Sequence, residues 1–164
     1  MKQHLSLLRL YFVLLAIFTI GRWAMGLKGV EYVKGHHVFS LMILTLFSSL
    51  YYGAFARRHL GYRVTQAMAL AAIIAFSAQL VILLSTLVSF VVGESYFTHP
   101  VAVNVITWDE YLAALKQGAT LDPVSFREAL PPRLLGLFAN TISGSIVGAL
   151  GWAMGALLPK PPES

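Results

Sequence analysis

The segment Lys34-Gly35-His36-His37-Val38-Phe39-Ser40-Leu41 places two adjacent imidazoles where a charged, glycine-containing stretch gives way to a long apolar run. Neutral imidazole is a ready ligand for zinc, copper and iron. Adjacent helical residues point about 100° apart, so His36 and His37 cannot both face one helix-bundle interior. A haem held between two histidines would need a second imidazole at matching depth on another apolar run, and the two later runs contain none. The best metal set is therefore His36 or His37 with His99 and a carboxylate from Glu31, Glu94 or Asp109. Those spacings match no ligand motif, and imidazoles at a wet surface need only water. No resident cofactor is predicted, with haem or metal at His36, His37 and His99 kept as the alternative.

Arg22 is a permanent charge inside an otherwise apolar stretch, and such a charge is a functional candidate by default. It suits an anion or headgroup site completed by Lys28 or Lys34; the structural alternative is a snorkelling anchor paired with Glu31 or Glu94. Gln79 and Asn140 are uncharged polar residues within long apolar runs, and Thr45, Ser48, Ser49 and Tyr52 follow the i, i+3, i+4, i+7 spacing of one helical face. These residues either line a polar pathway or make interhelical hydrogen bonds. Asp, Glu and Lys are absent from the inner parts of the same runs, which weighs against a proton-coupled transporter. Signatures of soluble enzymes are also missing: no G-x-S-x-G, no H-E-x-x-H, no phosphate-binding loop and no dinucleotide glycine pattern. Ser95, His99, Asp109 and Glu110 form a loose mixture without triad spacing.

These residues sit in a chain that is 57% hydrophobic, has a mean hydropathy of +0.72 and is only 12% charged, against about 25% charged in a typical soluble domain. No ionised residue lies between Val64 and Gly93, between Gly35 and Ala56 (with neutral His), or between Leu134 and Pro159. Each run exceeds the roughly 18 residues that mark a membrane-spanning helix. Arg9 and Arg22 bracket a shorter first run, which reaches spanning length if both arginines snorkel and Trp23 sits at the aromatic belt. The rival reading of that run is a cleaved signal peptide ending near Ala24-Met25-Gly26, which Arg22 and Trp23 beside the cut disfavour. There is no cysteine, hence no disulfide framework and no thiolate chemistry. The net charge of +5 comes from basic residues flanking the apolar runs, where they anchor to headgroups rather than to nucleic acid.

The expected fold is an all-α integral membrane protein, one membrane domain over residues 1–164, with spans at about 6–27, 37–56, 65–92 and 134–157. An extracytoplasmic insertion at 94–133 holds five of the seven acidic residues. It is expected to carry two short helices: one capped by Thr107-Trp108-Asp109-Glu110, and one starting at Asp122-Pro123 and ending at Pro131-Pro132. The tail 159–164 reads as disordered. Arg57-Arg58-His59-Leu60-Gly61-Tyr62-Arg63 is the densest positive connection, so it faces the cytoplasm together with both termini, by default at a bacterial inner membrane. Gly144, Gly148, Gly151 and Gly155 form a stripe at steps of four, three and four, suited to close helix packing against an internal neighbour, a membrane-protein partner or a second copy. The leading functional expectation is a non-catalytic accessory, assembly or structural subunit of a membrane complex. The alternatives are a small homo-oligomeric transporter or channel, and a histidine-liganded metal or cofactor protein at the outer face.

Overall fold

The computed structural model describes residues 6–28, 38–92 and 126–157. Within them the chain is all-helical, in four helices: α1 (Arg9–Leu27), α2 (Leu41–Leu60), α3 (Val64–Val92) and α4 (Phe126–Met154).

Local chemistry sets the helix ends. Ser40, in extended backbone with φ −76 and ψ 107, caps α2 by accepting a hydrogen bond from the Ile43 amide at 3.3 Å, so the helix starts at Leu41 rather than near residue 37. Arg57, Arg58 and His59 form its last turn, where positive charge complements the carbonyl end of the helix. Gly61 then reverses the chain at φ 63, a left-handed conformation that favours glycine, and the Tyr62 amide donates to the Ala56 carbonyl at 3.0 Å. The expected seven-residue basic connection is thus reduced to Gly61-Tyr62-Arg63. At the start of α3 the Gln66 side chain accepts from the Arg63 amide at 2.8 Å.

α4 departs most from expectation. It starts at Phe126 and runs unbroken through Pro131 and Pro132, where a separate insertion helix was expected to stop. Each proline removes one amide donor, leaving the carbonyls of Arg127 and Glu128 without their helical partners. Both prolines lie in the second turn, beside a charged segment whose freed carbonyls water can reach, and proline's fixed φ is itself helical. The helix therefore passes through them. The first insertion helix, at Trp108 to Leu115, and the tail lie outside the described residues.

α3 and α4 each contain a stretch long and apolar enough to cross a membrane, Val64–Val88 and Leu130–Met154. α4 packs along both α3 and α2, which also pack on each other, while α1 leans on this trio mainly through side chains. The buried core joins Tyr11 and Leu15 of α1 to Leu44 and Tyr52 of α2 and to Leu70 and Ile74 of α3. Large apolar side chains are exposed on every helix, among them Ile20, Phe47, Leu84, Leu135, Phe138 and Ile142.

Candidate functional site

The glycine stripe of α4 is taken up inside the chain. A Cβ on Gly144 would overlap the Ala75 methyl, and one on Gly148 the Ala71 methyl, both on α3. One on Gly151 would strike the Leu50 carbonyl of α2, and one on Gly155 would lie 2.7 Å from the Ala54 carbonyl oxygen. From the other side, Gly53 of α2 abuts the Gly148 carbonyl. Against α2 main chain touches main chain, and against α3 only alanine methyls intervene, so the stripe faces α3 and α2 rather than an outside partner. Ala67, Ala71, Ala75 and Ala78 supply the matching shallow face of α3, and all four are buried.

Near the turn between α2 and α3 the same helices are clamped by a tryptophan. The Trp152 indole donates to the Tyr62 carbonyl at 2.7 Å. The Arg57 guanidinium lies 4.0 Å from the Trp152 ring centroid and donates to the Trp152 carbonyl at 3.3 Å. His59 stacks on Phe55 at 4.7 Å, which in turn stacks on Tyr51 at 6.0 Å.

Three polar groups lie above that clamp. In the middle of the bundle the Tyr11 hydroxyl donates to the Ile74 carbonyl at 2.7 Å, and Ser77 donates to the same carbonyl at 2.9 Å. Tyr52 and the fully buried Ser49 belong to this level, and the Ser49 hydroxyl has no hydrogen-bond partner among the described residues. Several other hydroxyls turn back on their own helix four residues earlier, among them Thr19 to Leu15, Thr45 to Leu41, Thr86 to Ile82 and Thr141 to Leu137, all within 2.9 Å. A hydroxyl held this way is spent on the backbone and contributes little to a polar pathway.

The second group surrounds Arg22, which is only 8% exposed. Its neighbour Trp23 donates from the indole nitrogen to Ser85 at 3.2 Å, and Ser85 donates to the Val81 carbonyl at 2.7 Å. One residue before Arg22, Gly21 lies under the Phe39 ring, which meets Phe18 edge-on at 5.7 Å. Arg22 is thus enclosed by packing near one end of the bundle. Lys28, its suggested companion, is exposed, and Lys34, Glu31 and Glu94 lie outside the described residues.

The third group is the pair Gln79 and Asn140, brought together from α3 and α4 over Gly136. A Cβ at Gly136 would lie 3.6 Å from Asn140 Nδ2 and 3.8 Å from Gln79 Oε1. Gln79 is half-buried and Asn140 exposed. Gln79 and Ile74 lie about 140° apart around α3, so this pair and the Tyr11 group occupy different faces of that helix rather than one continuous channel wall.

His36, His37 and His99 lie outside the described residues. Among the described residues no group of three or more His, Asp or Glu side chains is placed to hold a metal ion. Tyr11, Gly53 and Trp152 were missed as organising residues. The tyrosine and tryptophan count as apolar in a hydropathy pattern, and Gly53 has no periodic companions. No protein-family model, curated protein or solved structure matches the chain.

Proposed function

We propose that the chain is a four-span integral membrane protein, of bacterial inner-membrane type with both termini cytoplasmic, that acts as a non-catalytic accessory, assembly or structural subunit of a membrane complex. The observation that carries this reading is where the large apolar side chains lie. Glycine and alanine line the seam of α4 with α2 and α3, beside a buried cluster that includes Tyr11, Leu70 and Ile74, while many leucines, isoleucines and phenylalanines point outward from all four helices. In an 18-residue apolar window of α3 only 33% is buried, and in that of α4 only 22%, whereas the core helix of a water-soluble protein is mostly buried. Large apolar side chains exposed on every helix would be a liability in water; among acyl chains their exposure costs nothing. Lipid also accounts for the interior, because helix association there depends on close van der Waals contact rather than on removing apolar surface from water.

The subunit reading follows from how the interior is used. Its α4 seam is filled by main chain and small side chains, and several of its hydroxyls are committed to helical carbonyls, an arrangement suited to a rigid framework. The test is alkaline carbonate extraction of native membranes, followed by native gel electrophoresis in mild detergent. The chain is expected to stay with the membrane and then migrate within an assembly larger than itself. Release by carbonate, or a lone monomeric band, would overturn the reading.

The convergence of Gln79 and Asn140 on Gly136 favours one second reading, a homo-oligomeric transporter or channel in which these amides meet the permeating species. Flux into proteoliposomes that survives both Gln79→Leu and Asn140→Leu would exclude that path.

A further inference from the structure

We infer that two copies of this chain associate through the carboxamides of Gln79 and Asn140, with the patch over Gly136 as the centre of the contact. The inference rests on the membrane reading above and identifies the partner at that patch. Gln79 is 9 residues from the Val88 end of the apolar stretch of α3 (88 − 79), and Asn140 is 10 residues from the Leu130 end of that of α4 (140 − 130). At about 1.5 Å per residue both lie roughly 15 Å below the same end, near the middle of a ~30 Å hydrocarbon core. At that depth there is no water, so an amide turned outward must find its donors and acceptors on protein. Asn140 is turned outward: it is exposed and flanked by exposed Phe138 and Ile142.

The chemistry selects a second copy. A carboxamide carries two donors and one acceptor, so it complements another carboxamide. Two chains inserted in the same sense are related by an axis along the membrane normal, and rotation about that axis preserves depth. Asn140 of one chain therefore meets Asn140 and Gln79 of the other at the same level, which gives the self-complementary contact of a two-fold dimer. A partner of different sequence would need its own polar group at this depth. The patch is also independent of the glycine stripe, which α3 and α2 already occupy.

The chain has no cysteine, so single cysteines report contact without background. Ser143 lies on the Asn140 side of α4 and Phe138 on the opposite side, and both are exposed. In membranes under mild oxidation, Ser143→Cys is expected to give a disulfide-linked species of twice the chain mass, and Phe138→Cys only monomer. Adding Gln79→Leu and Asn140→Leu to Ser143→Cys is expected to weaken dimerisation at least about threefold, the factor that one average interhelical hydrogen bond contributes in a bilayer. Both changes make the helices more apolar, so insertion is retained. Membrane-retained protein that stays monomeric, cross-links to a different protein, or cross-links equally from Phe138→Cys would overturn this inference and leave the membrane reading standing. Extraction of the same variants by carbonate would overturn the membrane reading itself.

Discussion

The seam of α4 against α2 and α3 and the seat of α1 on the bundle are built on opposite principles. In the first, main chain meets main chain: Gly53 against the Gly148 carbonyl, Gly151 against that of Leu50, Gly155 against that of Ala54. In the second, long side chains reach across and end in hydrogen bonds, Tyr11 to the Ile74 carbonyl and Trp23 to Ser85. On its α2 side the glycine seam has no give, since an added atom there must displace backbone. The α1 seat is adaptable, because each anchor is one side chain with rotamers of its own. The same bundle therefore holds a rigid three-helix unit and one helix attached at discrete points.

Substitution can break this contrast. The largest effect is expected from Gly53→Val or Gly151→Val, whose side chains have no space beside a carbonyl; a loss of about 3 kcal/mol or more in an unfolding titration of the purified chain would match overpacking against backbone. A loss below about 1 kcal/mol at both positions would mean the seam can open. Next, Tyr11→Phe removes the α1 donor to the Ile74 carbonyl, leaving Ser77 as its side-chain partner beside the helix's own bond, and should cost about 1 kcal/mol. Hydrogen exchange should rise in α1 while α2, α3 and α4 keep their protection; a rise spread over all four helices would erase the distinction. Trp23→Phe, at a partly buried site, should cost about 0.5 kcal/mol and loosen only the Arg22 end of α1. Smallest of all, Gly136→Ala meets only ordinary contacts at 3.6 and 3.8 Å and gains helix propensity, so its stability should be unchanged or higher by up to about 1 kcal/mol. Destabilisation at Gly136 instead would extend the rigid seam to the amide patch.

The helices were legible where composition changes sharply. The uncharged run marks α3 closely and α2 to within about a turn or two at each end, because solvation decides both where apolar residues go and where charges stop. The misreadings share one cause, which is that helix and apolar run are different things. Arg57, Arg58 and His59 end the apolar run of α2 yet remain helical, since backbone hydrogen bonding continues to the Gly61 cap. Pro131 and Pro132 signal an end in a generic helix, but here the two bonds they remove belong to the charged first turn of α4, and the helix passes through. The steps of four, three and four in α4 predicted close packing without naming the neighbour, because a flat face specifies a distance rather than an identity. Alanines at 67, 71, 75 and 78 repeat with similar steps and could have pointed to α3. Tyr11 and Ile74, 63 residues apart, could not be paired from sequence, since a main-chain carbonyl carries no residue signature.

The Trp152 clamp bears on the order of assembly. α2 and α3 form a hairpin around Gly61, and its Tyr62 carbonyl accepts from an indole 90 residues further along the chain. Until that indole arrives, the hairpin presents an open corner and an uncovered alanine groove side by side. One docking event, the arrival of α4, closes both.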